Sequence, residues 1–166
     1  IVIGQPDFTS SSANQGGSVG ANTINSVDDV AVCNGKLIVS ELLNNRVLIF
    51  NSIPTTNNAS ADVVIGQVNF SSGSANQGGA RGPNTLSGPR GVICVGDKLL
   101  IGDSGNSRVL IFNSIPTTNN ASADVVVGQD NFTSLQYGCT ANRFLSLMGS
   151  NGLAYDGQRL YIADPT

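Results

Sequence analysis

Slid against itself in steps of 62 residues, the chain matches itself: Ile3-Gly4-Gln5 returns as Ile65-Gly66-Gln67 and again as Val127-Gly128-Gln129. About 37 of 62 positions agree between the first two copies, and RVLIFNSIPTTNNASADVV stands unchanged at 46–64 and 108–126. The third copy drifts through LQYGCTANRFLSLMGS, recovers at NGLAYDGQRLYIAD with one residue deleted, and brings the total to about 2.7 repeats. A unit of this size cannot bury its own apolar faces and must stack on its neighbours, so the period predicts a solenoid, a propeller or an array.

The content of the unit chooses among these. Each copy carries four short β-prone runs: DDVAVC, KLIVS, RVLIFN and DVVIGQ in the first, RGVICV, KLLIG, RVLIFN and DVVVGQ in the second. Between the first two runs lie Asn34-Gly35, Gly96-Asp97 and Asp156-Gly157, residue types suited to two-residue hairpins, whose turns need positive φ. Runs such as Val47-Leu48-Ile49-Phe50 are apolar on both faces, and no helical stripe is present to cover them, so the cover is other sheets. Four-stranded antiparallel sheets stacked by repetition are the blades of a β-propeller, an all-β fold. The expected organisation is one repeat region over 1–166: an outer strand of a preceding blade at 1–5, blades at 28–67 and 90–129, and a partial blade at 151–166. The first run is expected innermost, where Ala31, Gly91, Gly152 and Ala154 suit a crowded channel.

The unit resembles the NHL repeat. The resemblance is carried by GVICVGDKLLIGDSGNSRVLIF at 91–112, similar to that family's Gly-Val-x-Val, Leu-x-(Val/Ile)-x-Asp and Gly-Asn-x-Arg-Val elements. Residues 30–50 depart from it with Glu41 at the Asp position and Leu43 at the Gly, and the third copy keeps Gly152, Leu160 and Asp164. The resemblance implies an NHL-like propeller; the family's functions run from sensors and scaffolds to RNA binders and a few lyases.

Composition narrows the function. Charged residues make up only 11% of the chain, the net charge is -3 and no Lys/Arg cluster exists, so no nucleic-acid footprint is expected. No apolar run approaches the roughly 20 residues of a membrane span. Histidine is absent, which removes the commonest general base and metal ligand. Gly102-Asp103-Ser104-Gly105 spells the tetrad around a trypsin-like nucleophile, but a serine without a base is inert, and the tetrad falls at a tight turn. There Asp103 and Arg108 are expected to pair across the turn, with Asn106 bonding local backbone. Asp28-Asp29 could hold calcium, but Arg90-Gly91 replaces it in the next copy, and solvated structural carboxylates are the better reading. Neither GxGxxG nor a P-loop is present, so no cofactor is expected. Cys33 and Cys94 read as small buried hydrophobes and Cys139 as an exposed thiol; an odd count leaves at least one thiol free unless chains cross-link. Asn58, Asn69, Asn120 and Asn131 each begin an Asn-x-Ser/Thr triplet, as an Asn- and Ser-rich chain gives by composition.

Strand parity sorts the loops. The long connections at 6–27, 68–89 and 130–150 share a face with the turns at 41–45 and 103–107, while the hairpin turns and the SIPTTNNASA loops are expected on the other. Long loops on a rigid scaffold are the usual place for binding, which makes Asn14, Gln15, Asn76, Gln77 and Arg81 candidate binding-face residues. The alternative is that these amides satisfy their own loop backbone.

Eleven strands do not close a ring of four-stranded blades. A bare blade face of roughly 300 Å² forfeits about 8 kcal/mol, comparable to a domain's net stability. The face is therefore expected to be covered by other repeats of a longer chain or by copies of itself. The sequence points to a non-enzymatic scaffold at the cell surface or outside the cell that binds a protein, a glycan or its own kind. The alternative is a lactonase- or lyase-like propeller enzyme using a channel calcium.

Overall fold

The computed structural model describes residues 1–136 and 152–163. Two four-stranded antiparallel sheets are present, each in sequential order: β1 (Val27–Cys33), β2 (Lys36–Glu41), β3 (Arg46–Phe50) and β4 (Val63–Ile65), then β5 (Pro89–Val95), β6 (Lys98–Asp103), β7 (Arg108–Phe112) and β8 (Val125–Val127). A third sheet holds β9 (Leu153–Tyr155) and β10 (Leu160–Ile162). The described residues thus form an incomplete, propeller-like all-β stack of blades.

Local chemistry sets each hairpin. Asn34 and Gly35 both take positive φ, 51° and 77°, the pairing a type I′ turn needs, whereas in the second blade only Gly96 does, at 59°. In the third sheet the turn sits one residue later than expected. Asp156 N–H donates to Arg159 O at 3.3 Å, so Gly157 and Gln158 are the central residues and Asp156 closes the turn. Hydrogen bonds from the Arg159 and Gln158 amides and the Tyr161 hydroxyl hold the Asp156 carboxyl below its ordinary pKa.

Alternation distributes the side chains between two interfaces. Ile38, Val47, Ile49, Val63 and Ile65 of the first blade pack against Val92, Leu99, Ile101, Leu110 and Phe112 of the second. These sets lie on opposite faces of equivalent strands, so each blade offers one face to its successor and the other to its predecessor. The second blade's forward face, with Leu100 and Val109, meets Leu153, Leu160 and Ile162 of the third sheet. The first blade's backward face, with Val39, Leu48, Phe50 and Val64, is covered by Ile3 and Ile24 and by loop residues. Among the described residues, nothing covers the same face of its innermost strand: Val30 and Val32 are 56% and 67% exposed.

Two expectations are corrected. Residues 1–5 form no strand; the β3-like neighbour such a strand would pair with is absent among the described residues. Val2 is bridged instead to the loop at Asn57–Asn58, donating its N–H to Asn57 Oδ1 and accepting from Asn58 N–H, both at 3.0 Å. Cys33 and Cys94 are not independent buried thiols but a disulfide, with Cα atoms 6.0 Å apart, that ties β1 to β5. Cys139 lies outside the described residues.

Candidate functional site

The turns between the second and third strands of each blade carry the most heavily bonded polar groups. Asp103 and Arg108 are fully buried and paired, Arg108 Nε donating to Asp103 Oδ2 at 2.7 Å. Arg108 spends its remaining donors on backbone carbonyls of two long connections: Gly82 O and Thr85 O before its blade, Phe132 O after it. Glu41 and Arg46 repeat the arrangement, with Gly20 O, Thr23 O and Phe70 O. Each arginine therefore fastens two successive long connections to one blade. Burial pushes the Asp103 carboxyl up from its ordinary pKa; Arg108, the Ser87 amide and Asn106 pull it back. Asn106 differs from the expectation of local backbone bonding: its amide donates to Asp103 Oδ2 and pairs reciprocally with Asn76.

The candidate amides of the long connections make most of their hydrogen bonds internally. Asn14 pairs reciprocally with Asn44, as Asn76 does with Asn106. Gln15 donates to Asn22 O and Asn58 Oδ1, and Gln77 to Asn84 O and Asn120 Oδ1. These bonds hold four non-glycine residues in the left-handed region, with φ of 48° and 57° at Asn14 and Gln15 and of 50° and 56° at Asn76 and Gln77. The structure brings the four into an ordered framework, in which Gln15 also lines a cavity of about 280 Å³ with Gln5, Ser11 and Ser12. Arg81 is half-buried, and its Nε is buried without a hydrogen-bond partner.

The carboxylates of β1 are likewise engaged. Asp28 pairs with Arg90, its equivalent one repeat on, at 3.1 Å. Asp29 accepts from the Val30 and Val92 amides. Ser104 Oγ is buried with no hydrogen-bond partner, so no base activates it. It lines a cavity of about 150 Å³ with Leu42, Gly88, Arg90 and Gly105.

The loop between the third and fourth strands is where the sequence reading needs revision. Parity placed SIPTTNNASA on the face opposite the long connections, but its Asn pair reaches over the outer rim to them, as the Gln15–Asn58 and Gln77–Asn120 bonds show. The reason is the free edge of the outermost strand: Asn119 Oδ1 accepts from Val64 N–H at 3.0 Å, and Asn120 N–H donates to Val64 O at 2.9 Å. The loop of one blade thus covers the edge strand of the blade before it, which blunts pairing with foreign strands.

The remainder of the same loop lines an open cleft that sequence reasoning missed. In the first blade it measures about 460 Å³ and in the second about 410 Å³, and the same positions line both. Phe50, Ile53, Pro54 and Ala59 supply apolar surface; Ser52, Thr55, Thr56, Ser60 and Asp62 supply oxygen atoms. The four hydroxyls belong to solvent-exposed residues and make no hydrogen bond to protein. Asp62 spends Oδ2 on the Asn51 amide at 2.7 Å, and Asp124 does the same for Asn113. The signal in the sequence was the segment unchanged between copies, which spans this loop. Compared with known proteins, the chain matches no family model and no curated protein.

Proposed function

We propose that the chain is a non-enzymatic, NHL-like propeller scaffold whose blade stack continues through the bare β1 face onto another blade of the same repeat. The observation that carries this is a pair of equivalent positions. Val92 on β5 is 1% exposed, because the first blade packs on it; Val30 on β1 is 56% exposed. The matching surface is the face that bears Ile38, Val47 and Ile49 in the first blade, since that face covers Val92 here. A non-enzymatic role is supported by the absence of histidine, by the unactivated Ser104 and by the engagement of Asp28 and Asp29 with protein groups. The Cys33–Cys94 disulfide supports a cell-surface or extracellular setting, since such bonds persist in oxidising compartments. No helix among the described residues is long and apolar enough to cross a membrane.

Sedimentation velocity on the full chain and on a V30D/V32D variant tests the reading. The chain is expected to associate and the variant to lose that association, because a carboxylate buried between blades has no partner. A monodisperse wild-type monomer with one sharp two-state melt would overturn it.

A further inference from the structure

We propose that each connection between the third and fourth strands of a blade is a binding cleft for a neutral oligosaccharide, one site per blade. This deepens the scaffold reading and rests on it. Three observations carry it.

The first is the contrast between polar groups. Around the long connections the Asn14, Gln15, Asn76 and Gln77 amide N–H groups and the Arg46 and Arg108 guanidiniums are spent on backbone, carboxylates and neighbouring amides, whereas Ser52, Thr55, Thr56 and Ser60 hold four hydroxyls that no protein group uses. Hydroxyls both donate and accept, and Asp62 Oδ1 adds an acceptor that the Asn51 bond leaves open. Such a set answers a ligand dense in hydroxyl groups.

The second is what the lining lacks. No Lys or Arg lines either cleft, and the one charged lining group in each, Asp62 or Asp124, repels a phosphate or carboxylate ligand. Apolar surface is present beside the oxygens, and Ile53 is 46% exposed. A sugar ring presents C–H faces and hydroxyl edges together and matches both. The volumes fall within the range of about 300–1,000 Å³ typical of small-molecule sites, and each cleft is open at the surface, as a chain ligand passing through it requires.

The third is repetition. The cleft is lined wholly by residues of one blade, in identical sequence at 50–62 and 112–124, so each of the two blades carries one, with Ile53 46% exposed in the first and Ile115 9% exposed in the second. Repeated identical sites fit a ligand that is itself a repeat, with avidity gained from simultaneous engagement.

The test is calorimetric titration of the full chain with cellohexaose, maltohexaose and the β-1,4-linked hexamer of N-acetylglucosamine, with hydrogen exchange followed at 50–62 and 112–124. The variants are T55V/T56V, T117V/T118V and the two combined; valine keeps the branched shape and removes the hydroxyl. At least one hexamer is expected to bind with two equivalents per chain, to fall to one in either double variant, and to weaken at least tenfold at the changed sites. Protection is expected in the two loops and not at 12–17 or 74–79. Failure of all three hexamers to bind at millimolar concentration would overturn the proposal, as would binding unchanged in the combined variant or protection confined to the long connections. The sedimentation behaviour of the same samples reports separately on the scaffold reading, because the threonines lie away from the β1 face.

Discussion

Cys33 and Cys94 are bonded across the seam between the first and second blades, 61 residues apart in a chain whose repeat step is 62. The missing residue is the point. Equivalent positions look the same way, so a bond between adjacent blades must join positions of opposite parity, and an offset of one supplies it.

Reduction is expected to destabilise the fold by about 4 kcal/mol, the loop-closure figure for a loop of this length. Thermal melts with and without reductant check this, with C33A/C94A as the control that must show no response to reductant.

Arg108→Met leaves the buried Asp103 carboxylate without its cation and is expected to cost about 3–5 kcal/mol. The double variant D103L/R108M is expected to recover part of that loss, because the uncompensated charge goes as well. Urea midpoints of the three proteins measure the difference.

Gly66 sits at φ 87°, and a Cβ there would lie 2.5 Å from the Leu86 side chain. Gly35 is also left-handed, at 77°, but has open space. Gly66→Ala is therefore expected to cost clearly more than Gly35→Ala, whose penalty is the backbone term of about 1–2 kcal/mol. Equality of the two in chemical denaturation would contradict the packing described for Leu86.

The Asp7 carboxyl accepts from the Thr9 hydroxyl and amide and then from those of Ser10, which lowers its pKa from 3.8 to about 2. Its folded value lies below its unfolded one, so the contribution to the turn is complete above pH 3.8 and disappears as the pH falls through about 2. A carboxyl-carbon NMR titration is expected to show that midpoint, and a midpoint near 3.8 would remove the turn's hold on Asp7.

Asn119→Ala is expected to speed amide exchange at Val64 at least tenfold while leaving Leu48 protected, because Asn119 Oδ1 accepts from Val64 N–H. Hydrogen exchange resolved by residue reads both.

The strands and turns were legible because their signals are local. Apolar runs of four or five residues and the pairs Asn34-Gly35 and Gly96-Asp97 specify hairpins wherever they occur. The Asp103–Arg108 pair was legible from its spacing around a turn. The disulfide was missed because cysteines at 33 and 94 were weighed as separate residues rather than by the parity of their offset. The rim contact of Asn58 and Asn120 was missed because strand parity states where a loop starts, while the path of a long loop depends on which free edge it can satisfy. The clefts were missed for a related reason: serine and threonine in a loop read as solvated until the fold leaves their hydroxyls unspent around one space.

The amide clasp over the outer strand has a temporal side. Val2 and Val64 each receive their edge partner from an asparagine 55 residues further along. On a chain emerging from a ribosome, a blade therefore stays open at its rim until most of the next repeat has been made. Assembly runs one unit behind synthesis, and each newcomer seals the door of the one before it.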